Sequence, residues 1–247
     1  MRRRCHRACG LACKGATLAR LERVMFSRRM LWPALAGLPV LIILLGLGTW
    51  QAQRLGWKTD LLARIAAAEA APPAPFNDPP TPYAKLEALG RFDHGRESLL
   101  GVEIRANRMG ARLIVPFLRD AGPPILVDRG WVPLDGLAGV VRPEGPQRIT
   151  GYIRFGEPAG RFAAQDDVAG RRFFHFDPVA IGAALGVPGM ARYGLVLLGP
   201  PGSLPEPSQS LPRPRNNHLG YAITWYGLAL SLVGVFAAFA WRKRKAA

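Results

Sequence analysis

Between residues 51 and 217 the sequence contains no cysteine, so any fold there is held by core burial without disulfides. Acidic residues are scarce as well: 17 Asp plus Glu stand against 33 Lys plus Arg, a formal net charge of +16. Two runs, Leu31 to Trp50 and Tyr221 to Trp241, carry no charge at all. Their length and apolarity exclude a plain soluble domain. No His-x-x-x-His spacing and no paired-carboxylate spacing occurs between the runs, so metal-assisted or general-acid hydrolysis has no visible machinery. The low acid content does not signal disorder, because 49% of the chain is hydrophobic and six residues are Trp.

The basic residues that are present sit at the ends. Met1 to Met30 holds nine basic residues and one acid, and Arg242 to Lys245 adds four more cations, whereas residues 51–217 hold 20 basic and 16 acidic residues. A pI near 11.1 would suggest nucleic acid. These cations instead flank the two apolar runs, as the positive-inside rule requires, so no nucleic-acid partner is expected and a membrane is.

Leu31 to Trp50 spans 20 residues, and at about 1.5 Å per residue a helix of that length crosses the ~30 Å hydrocarbon layer. Trp32 and Trp50 mark its ends as an aromatic belt. Pro33 and Pro39 are tolerable in a membrane helix. The run is too long for a cleaved signal peptide and lacks a small-x-small exit, so it is expected to stay as an anchor. The second span, about residues 218–241, stops against Arg-Lys-Arg-Lys. Two spans put both termini on one side, and the Lys and Arg counts near the membrane ends place that side in the cytoplasm, or in the matrix of a mitochondrion. The expected location is the inner membrane of a bacterium, with the mitochondrial inner membrane as the alternative.

Cys5, Cys9 and Cys13, with His6 adjacent, recur at helical spacing but lack the paired knuckles of a zinc site. Residues 1–30 therefore read as an unstructured basic leader, with Met25 and Met30 as alternative start sites. After Trp50 a helical period continues through Trp57, Leu61, Ile65 and Ala68, until Pro72 and Pro73 end it. Pro-rich linkers are expected over residues 72–82 and 200–217. Between them strands are predicted at Tyr83 to Phe92, Ser98 to Ile104, Arg112 to Leu118, Pro124 to Trp131, Gln147 to Phe155, Arg172 to Asp177 and Tyr193 to Gly199, with one helix at Val179 to Leu185. The expected fold is a membrane protein: two transmembrane helices flanking an extracytoplasmic, mostly antiparallel β (α+β) domain, a small sheet or barrel.

Asp93, His94 and Ser98 have the residue types of a triad but read as exposed turn residues, since no oxyanion-hole motif accompanies them. Gly46 and Gly48 lie inside a span, which rules out a dinucleotide loop. Asp166 and Asp167 read as a solvated turn beside Gly170. His175 falls in RRFFHFDP, where it reads as a half-exposed strand residue. His218 differs. It stands in PRPRNNHLGYAITWY, where Asn216 or Asn217 can cap the second span, placing the imidazole at the outer boundary of the membrane. There the positive end of the helix dipole favours a neutral ring, the form an iron or haem ligand requires. Ala222 and Trp225 share its helical face, a place for a flat apolar cofactor, and Arg54, Arg213 or Arg215 lie at a depth to meet its carboxylates. Position alone fits equally well a histidine that merely caps the helix or hydrogen-bonds lipid headgroups. Copper carriage fits poorly, because Cu(I) prefers soft sulfur ligands and residues 51–217 offer only Met109 and Met190.

Four stretches resemble the Surfeit locus protein 1 family: LGTWQAQRLGWK at residues 47–58, VDRGWVP at 127–133, GPQRITGYIR at 145–154 and NNHLGYAITWYGLAL at 216–230. Gly90-Arg91-Phe92 also matches the family's glycine-x-phenylalanine strand, and the likeness runs in the family's order from residue 28 to 245. Asp128 stands where relatives often have Asn, Gly220 where many have Gln, and the cysteine-bearing leader has no counterpart. The resemblance implies a non-enzymatic assembly factor of cytochrome c oxidase that binds haem a as cargo and assists its placement into the catalytic subunit. Its implied partners are that subunit and, as a candidate, haem a synthase. His218 matches the family histidine proposed as an axial haem-iron ligand, and the expected cofactor-binding set is His218, Trp225, Arg54 and Arg215.

Overall fold

The computed structural model describes residues 8–157 and 159–245, with side chains from residue 32 onward apart from 243 and 244. Cys5 and His6 lie outside the described residues, as do the side chains of Cys9 and Cys13. The chain divides into two compact units, residues 1–61 with 215–247, and residues 62–214.

The first unit consists of two helices. Helix α1 (Ala8–Ala70) runs for 63 residues through Pro33 and Pro39, and the helix that ends the described chain covers His218–Lys245. The leader, expected to lack regular structure, is thus helical from Ala8 onward. Both helices contain a window long and apolar enough to cross a membrane, with mean hydropathies of 1.9 and 1.8. Only 6% and 11% of those windows are buried in protein, so neither is the core helix of a soluble domain.

The second unit begins with the last turns of α1, which stop at Ala70 before Pro72 and Pro73, as proline's missing N–H demands. Strands β1 (Ala74–Pro75), β2 (Lys85–Phe92), β3 (Ser98–Arg105), β4 (Arg108–Arg119), β5 (Ile125–Pro133), β6 (Gln147–Phe155), β7 (Arg172–Phe173) and β8 (Tyr193–Leu197) form one sheet. Its order is β1-β2-β6-β8-β5-β4-β3-β7. The sheet closes because β4 is long enough to serve two neighbours. Its first half pairs with β3, and its last residues pair with β2 through Gly90↔Arg119, Arg91↔Leu118 and Phe92↔Phe117. Strands β2, β6, β8, β5 and β4 thereby make a closed five-stranded barrel, antiparallel except at β5 and β8.

Leu86, Phe117, Val127, Ile149, Ile153 and Leu195 fill one face of these strands. On the other side helix α2 (Pro178–Ala184) covers Ile114, Leu126, Phe173 and Phe176. Pro178 opens this helix, and Asp177 caps it by accepting the Val179 and Ala180 N–H groups at 3.1 Å each. With both sides covered, all nine residues of β5 are buried, the charged pair Asp128 and Arg129 at its centre included, so the strand shows no alternation of buried and exposed positions. The β3–β4 hairpin turns at Ala106 and Asn107, both at positive φ, the pair of left-handed residues that suits the strand twist.

One expected strand is much shorter than its sequence suggests. Arg172 to Asp177 continues as a strand only to Phe173. The Phe174 N–H is taken by the Asp166 carboxylate at 2.7 Å, the Asp177 N–H turns back to the His175 carbonyl at 3.1 Å and the Asp177 side chain caps α2, so the ladder does not continue. Phe173 and Phe176 are consequently both buried, three residues apart, where a strand would have put them on opposite faces. The Pro-rich stretch after β8, expected as a linker, is pinned to the barrel: Trp131 and Glu206 exchange backbone hydrogen bonds at 2.8 Å each, and Leu211 is 2% exposed. Gly130, at φ +136, allows this approach, since a Cβ there would lie 2.2 Å from the Glu206 carbonyl oxygen.

A buried ion pair locks β4 to β5. Arg112 Nε donates to both Asp128 oxygens at 3.0 and 2.9 Å, Asp128 accepts the Gly130 N–H at 3.0 Å, and Arg112 Nη2 reaches Ser208 Oγ at 3.1 Å. Burial pushes the Asp128 carboxyl above the usual range while the Arg112 guanidinium opposes it. Replacing Asp128 by Ala leaves a guanidinium without its partner, and the expected loss is about 3–5 kcal/mol. Asp128→Asn retains an acceptor for the Gly130 N–H and should cost clearly less. Unfolding of the detergent-solubilised chain measures the difference, and equal losses for the two variants would contradict this role for the pair.

Candidate functional site

The two long helices approach each other on glycine. A Cβ at Gly48 would sit 2.9 Å from the Tyr226 ring, and one at Gly37 would sit 2.6 Å from the Phe236 ring. Small residues at such crossings let helix backbones close up where lipid gives no hydrophobic drive to do so. Polar contacts line up along the same seam: Asn216 Nδ2 to Thr59 Oγ1 at 3.4 Å, His218 Nδ1 to Gln51 Oε1 at 2.7 Å, and Thr49 Oγ1 with Tyr226 Oη at 3.1 Å. Numbers rise on one helix as they fall on the other, so the pair is antiparallel. We label the second helix α3.

His218 is the first residue of α3, directly after Asn217, and is half-buried. An amide oxygen can only accept, so the 2.7 Å contact places the ring proton on Nδ1, with Gln51 Oε1 as its acceptor. In the neutral ring Nε2 then carries the lone pair. It has no partner among the described residues and is not among the buried unsatisfied atoms, so it is open. Ala222, 5% exposed, is tucked into the seam one turn further along, and Trp225 is half-buried seven residues from His218, about 10 Å deeper along the axis. Arg54 is exposed, with its guanidinium 4.9 Å from the Trp57 ring. Arg215 is exposed and without a partner among the described residues. No hydrogen bond or ring contact joins Arg54, Arg215 or Trp225 to His218; what the structure brings together is His218 and Gln51. Arg213, the third arginine considered, belongs to the other unit and is engaged by Glu69 at 2.8 Å.

An imidazole oriented by a hydrogen bond at one nitrogen, with the other nitrogen open, is a donor that could hold a haem iron. Gln51, 9% exposed, is the member that sequence reasoning missed. It lies inside LGTWQAQRLGWK, but Gln51 and Gln53 look alike in sequence. Only the packing of α1 against α3 buries the first and leaves the second exposed.

The other candidates resolve into structure. Asp93 pairs with Arg96, His94 Nε2 lies 3.0 Å from the Pro143 carbonyl oxygen, and Ser98 is 3% exposed with no hydrogen bond, so the three never form a relay. Asp93 and His94 lie at the turn before β3 and Ser98 is its first residue, and all three are half-buried or buried and not exposed. Asp167 accepts the Gly170 N–H at 2.8 Å, the hydrogen bond of a turn. His175 is half-buried, in a bend and not on a strand. Met190 is 6% exposed beneath α2 while Met109 is 57% exposed, so they make no common sulfur site. Arg129 is 5% exposed, donates to the Val141 carbonyl at 2.7 Å and lies 5.0 Å from the Phe92 ring. Burial pulls its guanidinium below the ordinary arginine range, and the nearby Glu97 charge opposes this.

A family model described as the SURF1 family matches residues 38–230, a span that contains both Gln51 and His218 and leaves the cysteine-bearing leader outside. Among curated relatives, Surfeit locus protein 1 of Gallus gallus is 31% identical over 207 residues, covering 74% of this chain and 67% of the relative. SURF1-like protein of Monosiga brevicollis is 30% identical over 221 residues, covering 81% and 83%. Surfeit locus protein 1 of Homo sapiens is 28% identical over 246 residues, covering 90% and 80%.

The seam predicts that Gly48→Leu forces α1 and α3 apart and breaks the His218–Gln51 contact. A disulfide or short cross-linker between cysteines placed at Gln51 and His218, in a chain whose three native cysteines are serine, should form readily. It should drop at least severalfold when Gly48→Leu is added. Unchanged cross-linking would show that the close approach does not depend on that glycine.

Proposed function

Because the chain belongs to the SURF1 family, a family of cytochrome c oxidase assembly factors, we propose that it carries haem a and assists its insertion into the catalytic subunit of the oxidase. His218 is the axial donor in this reading, through Nε2. The observation that carries it is the free Nε2 on a ring fixed by Gln51 at the first residue of α3.

The location of this donor suits the cargo. Haem a has a farnesyl tail, an apolar porphyrin and two carboxylates, and burying those charges in hydrocarbon is costly. At the end of an apolar helix the tail stays among lipid chains and the carboxylates face water. Arg54, on α1 three residues past Gln51, and the unpartnered Arg215 supply guanidinium groups for them, and Trp225 supplies an aromatic surface deeper along α3. A single protein ligand on an open ring also suits a carrier that must give its cargo up. The proposed setting is the inner membrane of a bacterium, with residues 51–217 in the periplasm and both termini in the cytoplasm. Haem a synthase is the proposed source of the haem and the catalytic subunit its destination.

Purification of the chain in detergent from cells that make haem a tests this directly. The wild type should show a haem a absorption spectrum and yield haem a on extraction, and His218→Ala should lose most of it. A haem-free wild type, or a His218→Ala variant that keeps its full complement, would overturn the assignment. Copurification of the catalytic subunit in that case would identify the chain as a cofactor-free scaffold.

A further inference from the structure

Gln51 takes part in the site by a contact that no motif announces. We infer that Gln51 is a positioning residue for His218: its amide oxygen fixes the tautomer and rotation of the imidazole, so that Nε2 is the only nitrogen presented to iron. The consequence for haem rests on the reading given above, whereas the geometry stands by itself.

A free neutral imidazole populates both tautomers and turns about its χ angles, so a donor on an unsupported ring is presented only part of the time. Here the acceptor comes from the opposite helix. Gln51 is 9% exposed, on the face of α1 where Gly48 admits the Tyr226 ring one turn before it. Thr49 and Tyr226 on one side of it and Thr59 and Asn216 on the other fix the register of the two helices. The 2.7 Å contact is thus held from both ends. Metal-bound histidines characteristically donate their second ring N–H to an oxygen, which sets the orientation and raises the basicity of the ligating nitrogen. A carboxylate in that place would push electron density strongly toward the iron. A neutral amide orients the ring with a weaker push, which fits a protein that releases its haem.

Two measurements decide the matter. The first uses no haem: nitrogen-15 NMR of the full detergent-solubilised chain labelled at histidine, with the His218 signals identified by their loss in His218→Ala. The wild type should show a protonated Nδ1 and an unprotonated Nε2. Gln51→Leu should show mixed tautomers, and Gln51→Glu, which restores an acceptor, should return to the wild-type pattern. A wild-type ring protonated on Nε2, or a Gln51→Leu spectrum identical to wild type, overturns the inference.

The second titrates haem a into the same proteins. Binding should weaken about 10- to 100-fold in Gln51→Leu, the usual effect of removing the outer hydrogen bond of a metal ligand. In Gln51→Glu the bound haem should have a lower reduction potential than in wild type. Equal affinity of wild type and Gln51→Leu overturns the positioning role. A wild type that takes up no haem a strikes only the haem reading, and the NMR result still decides on Gln51.

Discussion

The placement of His218 depends on how closely two apolar helices can approach. In lipid there is little hydrophobic gain in pairing, so contact is set by shape and by the few polar groups that would otherwise face hydrocarbon. Gly37 and Gly48 provide the shape by admitting the rings of Phe236 and Tyr226. Thr49, Gln51 and Thr59 provide the polar groups, each matched across the seam. A half-turn error in register would leave the Gln51 amide and the His218 ring without each other. The donor geometry is therefore a property of the helix pair and of no single residue.

The segment between the helices has to keep its own shape without disulfides, and it does so by closing a small barrel through one long strand, β4. A cysteine-free core of this size uses both sides of its strands, with barrel side chains on one side and α2 on the other. The polar groups it buries are paired for the most part: Asp128 with Arg112 and Gly130, and Trp131 Nε1 with the Glu103 carbonyl at 3.1 Å. Within the same unit Glu69, in the last turn of α1, accepts the Leu211 N–H and the Arg213 guanidinium. That ties the last turn of α1 to Leu211 and Arg213.

Much of this was legible from residue order. The two charge-free runs with their Trp and Arg borders identified the helices, and short apolar segments set off by Gly, Pro and Asp located the strands, with β6 matching at both ends. Closure was not legible, because it depends on β4 reaching β2 across 20 or more intervening residues, and no local pattern encodes that pairing. Arg172 to Asp177 misled for a related reason. Its alternating appearance competes with Asp166 and Asp177, which take the backbone N–H groups in and after the segment. At the site, His218 stood out in sequence by its position ahead of an apolar run; Trp225 was chosen by helical face and Arg54 and Arg215 by depth, and no hydrogen bond or ring contact joins these three to His218 among the described residues. Gln51 did not stand out, since its meaning lies in a partner 167 residues away.

The central claim is that one histidine, presented by its neighbour helix, donates to the iron of haem a. Pulsed EPR of the ferric haem in nitrogen-15 histidine-labelled protein reads this at the level of the bond. The chain has four histidines. With His6, His94 and His175 replaced by Gln, the account predicts an undiminished iron–imidazole coupling from the one that remains. A coupling that vanishes in that protein, or persists when His218 alone is replaced, would contradict it.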